Sequence, residues 1–299
     1  MRDFPAALAR ECGMDIAGAA DLKALGGARA HFAAVGKTAF HAGAPSDRLD
    51  YFSPMPSAKS VLSFGISYNQ DIEEPKEMGK RAKMAKMAYG KDYHRVLGKI
   101  ALSFVDALKQ ESGKGIEAKV FVDTGPVSDK MAAYAAGIGF IGKNSLIVNR
   151  ELGSYLFLGT ILVSEEFAPS LPLEQDGCRG CGECVKRCPT GALDSGFDYE
   201  KCVSYQSQMG ALSPKAAGAG YLYGCDECQK CCPWNKGKHA CTVPDFQTGA
   251  DSAYPLLDSV LSMDKPAFRE KFGQSSAGWR GLGALARNAA AIKAFRGIK

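Results

Sequence analysis

Cys178-Arg179-Gly180-Cys181-Gly182-Glu183-Cys184-Val185-Lys186-Arg187-Cys188-Pro189 is the stretch on which the reading of this chain turns. Cysteines separated by two, two and three residues and closed by proline have the spacing with which thiolates hold [4Fe–4S] cubanes. Three ligate one cluster and the fourth reaches another. A loop that turns tightly every third residue aims three sulfurs at one cuboid, and Pro189 then redirects the chain. A second set follows, Cys225-x-x-Cys228-x-x-x-Cys232-Pro233, and together with Cys202 it completes the thiolates that two cubanes require. The expected ligands are Cys178, Cys181, Cys184 and Cys232 for one cluster, and Cys188, Cys202, Cys225 and Cys228 for the other. Paired zinc sites are the alternative. Zinc ribbons, however, use two separated Cys-x-x-Cys knuckles, not a triple run ending in Cys-Pro. Cys231 is spare, because it adjoins Cys232 and cannot point the same way, and Cys12 and Cys241 read as ordinary thiols.

Working outward, the other residues divide around this region. Of the 11 cysteines only Cys12 lies in the first half of the chain, so a composition break falls near Pro169 to Pro172. So many thiols in a reducing compartment point to metal or redox chemistry, since disulfides seldom persist there. The 299 residues, 46% hydrophobic and 23% charged, are enough for one sizeable core and a second smaller one, and they exclude disordered and collagen-like classes. The longest apolar stretch, Tyr155 to Val163, falls well short of a bilayer span, so no membrane association is expected. The opening residues mix charge into their first apolar turns, unlike a secretory signal, which places the expected protein in the cytoplasm. The net charge of +5 is modest, but residues 76–99 carry eight Lys/Arg against two acids, and residues 265–299 again carry eight Lys/Arg. Such segments suit a polyanionic partner; a solvated helix face is the plainer reading.

Three β-rich runs, Val61 to Ser67, Lys119 to Val122 and Tyr155 to Val163, read as buried strands. Between the first two, Val96, Leu97, Ile100, Phe104 and Leu108 recur at the three-and-four spacing of one buried helical face. Met131 to Gly137 reads as a further helix, followed by the glycine-rich turn Gly137 to Asn144. That turn fits neither a dinucleotide fingerprint nor a P-loop. It suits a segment packed close to a cofactor, or plain loop geometry. Asp258 to Phe272 and Gly281 to Lys299 look helical, and no repeat of 20 to 50 residues is visible. The expected fold class is α+β. A mixed α/β domain over residues 1–168 precedes a ferredoxin-like double [4Fe–4S] domain over 169–245 and a short helical segment over 246–299.

Gly90-Lys91-Asp92-Tyr93-His94-Arg95-Val96-Leu97, Val122-Asp123-Thr124-Gly125-Pro126 and Ala136-Gly137-Ile138-Gly139-Phe140-Ile141-Gly142-Lys143-Asn144 resemble, in order and spacing, epoxyqueuosine reductases. So do Glu151 to Tyr155, Cys188 to Leu193, Cys202 to Tyr205, Tyr223 to Gln229, Cys232 to Asn235, Trp279-Arg280-Gly281 and Arg287-Asn288-Ala289. The likeness covers nearly the whole chain. It implies a cobalamin-dependent oxidoreductase, with residues 1–168 as its cobalamin-binding catalytic domain, that removes the epoxide oxygen of epoxyqueuosine in tRNA, the last step of queuosine biosynthesis. An external low-potential donor would supply electrons, and the clusters would reduce a base-off cobalamin. It further implies cofactor contacts at Arg48, Asp123, Ile147 to Asn149, Leu158 and Ser204. Family members commonly continue into HEAT-type helical repeats that help grip the tRNA. With the sequence ending at Lys299 a reduced grip is expected, carried by Lys80, Arg81, Lys83, Lys86, Arg280 and Arg287.

Asp123 is the residue singled out for chemistry. It follows the apolar run Val120-Phe121-Val122 and precedes a Gly-Pro turn, so it belongs at a strand's C-terminal end, where functional side chains gather. Opening an epoxide leaves an alkoxide, and a carboxyl whose pKa is raised by burial can protonate it; the resemblance implies that role. A turn or helix-capping aspartate is the alternative. His94 misses the Asp-x-His-x-x-Gly spacing of cobalt-ligating histidines by one residue and reads as structural or cofactor-adjacent. Two rival functions stay open: a cobalamin-dependent reductase acting on another substrate, and a two-cluster electron-transfer protein in which Asp123 is dispensable.

Overall fold

A computed structural model describes residues 1–22, 48–113, 115–171, 177–238 and 240–298. Along these run helix α1 (Ala6–Glu11), strands β1 (Ile16–Ala19), β2 (Ser60–Ser67) and β3 (Lys83–Met84), and helix α2 (Tyr93–Ser112). Next come β4 (Ala118–Phe121), α3 (Asp129–Ala135), β5 (Phe140–Ile141), β6 (Ile147–Val148) and β7 (Leu156–Val163). The cysteine-rich part holds α4 (Glu183–Arg187), α5 (Val203–Met209), α6 (Pro214–Ala219), β8 (Tyr221–Tyr223) and α7 (Glu227–Lys230). Helices α8 (Ala250–Ala253), α9 (Leu257–Leu261), α10 (Lys265–Phe272) and α11 (Gly281–Phe295) follow.

The chain divides into two compact units. The first comprises residues 1–67, 94–181 and 236–238; the second comprises 68–93, 182–235 and 239–299. This differs from the three consecutive segments expected from sequence. The short strand β3, counted with the first domain by position, pairs in parallel with β8. Parallel pairing draws its partner from far along the chain. The C-terminal helices then bury Leu257, Val260, Phe268, Phe272, Leu285 and Ile292 in the same core as Met84, Leu222 and Tyr223. They form no separate segment. The expected helix from Asp258 to Phe272 is two helices, because Asp264 turns out of helical conformation to cap α10, its carboxylate accepting the Ala267 N–H.

The first unit is built on a four-stranded antiparallel sheet in the order β1-β2-β7-β4. Its two central strands are buried almost throughout. Glycine is required there for a steric reason, since at Gly159 an added Cβ would lie 2.4 Å from the Phe64 ring, and the buried Ser63 hydroxyl is satisfied by donating to the Gly159 carbonyl. Helix α3, with no charged residue after Asp129 and Lys130, packs against β7 and β2 and contributes Met131 and Ala132 to Ala135 to the core. Helix α2 buries Val96, Leu97, Ala101, Phe104, Val105 and Leu108 while Leu102 faces solvent, close to the face its periodicity predicts.

In the second unit, several cations expected to meet phosphates are engaged internally. Lys86 is buried, 2.6 Å from Asp71 and 2.8 Å from Asn69 Oδ1. Lys83 pairs with Glu227 at 3.1 Å over the Tyr221 ring, and Arg81 with Asp251 at 3.0 Å. Of the lysines between 76 and 86, Lys83 and Lys86 are thus held in ion pairs, while Lys76 and Lys80 are exposed, as is Arg287 of α11. No helix among the described residues is long and apolar enough to cross a membrane.

Candidate active site

The turn between β4 and α3 holds Asp123 in the first unit. Its backbone lies in the left-handed region, φ 58°, a conformation that aspartate and asparagine adopt more readily than other non-glycine residues. Two anchors hold it. The Asp123 N–H donates to Asp129 Oδ2 at 2.6 Å, and the Asp123 carbonyl accepts from Arg48 Nη2 at 2.7 Å. Arg48 Nη2 also donates to the Val127 carbonyl at 2.7 Å, so one guanidinium spans both ends of the turn. Ser128 caps α3 through the Met131 N–H, and the buried Tyr51 hydroxyl donates to the Ser128 carbonyl at 2.7 Å. With its backbone fixed from both sides, Asp123 leaves its side chain 54% exposed.

The electrostatics beneath that carboxylate are unusual. Asp129 is buried, its Oδ1 accepting a short hydrogen bond from Thr160 of β7. Burial pushes its pKa up to about 7, against the opposing pull of the Thr160 and Asp123 hydrogen bonds. Burial likewise lowers the Lys130 ammonium to about 8; the Arg48 charge presses the same way and the Asp123 charge opposes it. His94, in the first turn of α2, places Nε2 3.5 Å from Asp123 Oδ2. Sequence reasoning left Asp129 and Lys130 unassigned, because Ser128-Asp129 reads as an ordinary helix start, with a cap and an acidic first turn. His94 is read there only as structural or cofactor-adjacent.

Arg48, Asp123, Ile147, Asn149 and Leu158 all fall in the first unit; Ser204 lies on α5 in the second. The buried side chain of Asn149 shapes its own turn. Its Oδ1 accepts the N–H groups of Glu151 and Leu152, and its Nδ2 donates to the Ile138 carbonyl. Ile147 is buried on β6, and Leu158 is half-buried on β7. In the glycine-rich turn, Gly139 packs so closely on β6 that an added Cβ would lie 2.6 Å from the Val148 carbonyl oxygen. The same turn directs the Lys143 N–H to Cys178 Sγ at 3.4 Å.

Cys188, Cys202, Cys225 and Cys228 belong wholly to the second unit. The charge of Cys188 reaches Cys202 and raises it, and that of Cys202 reaches Cys225 and Cys228 and raises them. Burial is the larger cause and drives the thiols of Cys202, Cys225 and Cys228 upward. Backbone N–H groups at the starts of α5 and α7 point to the sulfurs of Cys202 and Cys225 and oppose it. Thiols so placed ionise when a metal's positive charge compensates them, and N–H groups aimed at sulfur are a usual feature of cluster sites. The donor set fits a cubane.

Comparison with known proteins follows this geometry. Residues 48–124 match the family described as epoxyqueuosine reductase QueG, DUF1730, and residues 177–235 match the 4Fe-4S double cluster binding domain. An epoxyqueuosine reductase of Bacillus cereus is 36% identical over 79% of this chain and 63% of its own length. A crystal structure of epoxyqueuosine reductase with an epoxyqueuosine-modified tRNA-Tyr stem loop superposes with TM-score 0.85 at 32% identity, covering 96% of this chain and 79% of that one. The chain belongs to the epoxyqueuosine reductase family. A Bacillus subtilis epoxyqueuosine reductase, captured with an aspartate-bearing catalytic loop swung out of the active site, matches with TM-score 0.86 at 32% identity over 96% and 79% of the two chains. The chain spans slightly under two thirds of the length of the Bacillus cereus epoxyqueuosine reductase. Within the shared part it has the α+β fold and the two-cluster [4Fe–4S] domain of the family.

Proposed function

We propose that this chain reduces epoxyqueuosine to queuosine in tRNA, with Asp123 as the proton donor. The carrying observation is the Asp123 turn. A half-exposed carboxyl sits on a left-handed backbone whose N–H is held by buried Asp129 and whose carbonyl is held by Arg48. Such anchoring fixes an acid at one point, which is what proton transfer to a developing alkoxide demands. Replacing the epoxide by an alkene consumes two electrons and two protons and releases the oxygen as water. Asp123 Oδ2 delivers a proton to the oxygen leaving carbon, and His94 Nε2, 3.5 Å away, is placed to restore it. Cobalamin, when bound, supplies a reduced cobalt able to pass electrons to the substrate carbon. Arg48 fits a cofactor contact, because its Nε is buried without a hydrogen-bond partner among the described residues. Asn149 would act through its backbone or through the turn it shapes, and Ile147, Leu158 and Ser204 complete the proposed contacts. The thiolates of Cys178, Cys181, Cys184 and Cys232 and of Cys188, Cys202, Cys225 and Cys228 would hold the two clusters. An external low-potential donor would charge them, in the cytoplasm.

Anaerobic reconstitution with iron, sulfide and cobalamin, then incubation of the reduced protein with epoxyqueuosine-containing tRNA and nucleoside analysis, tests the proposal. Queuosine is the expected product. Bound cobalamin with no queuosine formed would overturn the substrate assignment.

A further inference from the structure

Trp279 is 59% exposed, yet it is held firmly in the second unit. Its Nε1–H donates to the Tyr223 hydroxyl at 2.8 Å, and Tyr223 is itself buried. The Tyr223 oxygen lies 3.0 Å from Gln208 Oε1 and 2.9 Å from the Ser276 carbonyl. Gln208 Nε2 in turn donates to the carbonyl of Ser204, one of the proposed cofactor contacts, at 3.0 Å. A hydrogen-bonded chain therefore runs from Ser204 on α5 to the exposed indole. The Arg280 guanidinium lies over the same ring, 3.7 Å from its centroid, with Nη2 against Met209 Sδ. A thioether is a poor acceptor, and Arg280 Nε is buried with no hydrogen-bond partner among the described residues. Arg287 on α11 is exposed, and its charge reaches Arg280. Neither arginine forms an ion pair with an acid among the described residues.

An aromatic face pinned by a hydrogen bond to a buried tyrosine, backed by one arginine and flanked by another, has the composition of a stacking platform for an unpaired nucleobase beside its phosphate. We propose that Trp279, with Arg280 and Arg287, stacks a single-stranded nucleotide of the tRNA substrate. This inference rests on the functional reading above and adds where the RNA is held. Charge complementarity selects the occupant, since two uncompensated guanidiniums suit a phosphodiester.

The test uses the full chain with clusters reconstituted and an anticodon stem-loop RNA, followed by fluorescence anisotropy, for wild type, Trp279→Phe, Trp279→Ala and Arg287→Gln. Trp279→Ala is expected to weaken binding about tenfold or more and Trp279→Phe to retain most of it, each variant keeping its cluster absorbance. Arg287→Gln is expected to reduce the salt slope by about one. Equal affinity of Trp279→Ala and wild type would overturn the platform while leaving the reductase reading intact. A wild-type chain that binds no stem-loop would overturn both. If Trp279→Ala abolishes dimers on gel filtration and leaves RNA affinity unchanged, the face belongs to self-association and the platform is wrong.

Discussion

At the scale of single residues, two aspartates six positions apart divide the work of the turn. Asp123 presents a carboxyl, and Asp129 fixes the backbone that presents it. Asparagine tolerates the left-handed conformation nearly as well as aspartate, so Asp123→Asn should keep the fold and both clusters while lowering queuosine formation about a hundredfold or more, the range general acids supply. Single-turnover assays with tRNA check this, and near-wild-type turnover would remove Asp123 as the donor. Asp129 makes a separate prediction about pH. Its folded-state pKa of about 7 lies above the ordinary value of 3.8. Between those values the native chain keeps a proton that the unfolded chain has lost, so stability falls as pH rises through the window, and the loss is complete above about 7. Asp129→Asn has no such titration. Urea denaturation between about pH 4.5 and about pH 8 should give a flatter dependence than wild type; an unchanged dependence would mean that Asp129 does not carry this proton.

At the scale of elements, the strands and helices of the first unit were legible from sequence because their apolar patterns are local. Val61 to Ser67, Lys119 to Val122 and Tyr155 to Val163 fall within a residue or so of β2, β4 and β7, and the periodicity from Tyr93 becomes α2. The turn joining β4 to α3 was legible only in part. Asp123 shows itself as a polar residue ending an apolar run, but Arg48 and His94 reach it from 75 and 29 positions away, and Thr160 reaches Asp129 from 31, through contacts no window of sequence contains. Arg48, expected as a cofactor contact, proves also to brace this turn. Arg48→Ala would leave the carbonyls of Asp123 and Val127 without their donor. An unsatisfied buried acceptor costs about 1–3 kcal/mol, so the variant should be destabilised by about 2 kcal/mol or more and should exchange the amides of residues 121–128 faster. Denaturation and hydrogen exchange measure both. Unchanged protection there would assign Arg48 to cofactor contact alone.

At the scale of the molecule, the partition of the backbone cuts across the cysteine spacing: Cys178 and Cys181 belong to the first unit, and the other expected ligands to the second. Ligand spacing is a local property, so the cysteine run is legible in the sequence alone. Residues 68–93 and the C-terminal helices join this unit through β3, β8 and a shared core, and that association left no mark in local pattern. Cys188, Cys202, Cys225 and Cys228 come from the end of α4, the start of α5 and the start of α7, so one cluster would cross-link three short helices that have little core of their own. Cys225→Ser should reduce iron from about eight to about four atoms per chain and lower the thermal stability of the second unit, because metal ligation contributes directly to the folding of small metal-bound segments. Cys231→Ser provides the contrast. Cys231 follows α7 with its sulfur toward the Cys228 carbonyl and is assigned to neither cluster, so its iron content should match wild type. Iron and acid-labile sulfide analysis distinguishes the two variants, and iron lost on replacing Cys231 but kept on replacing Cys225 would exchange their roles.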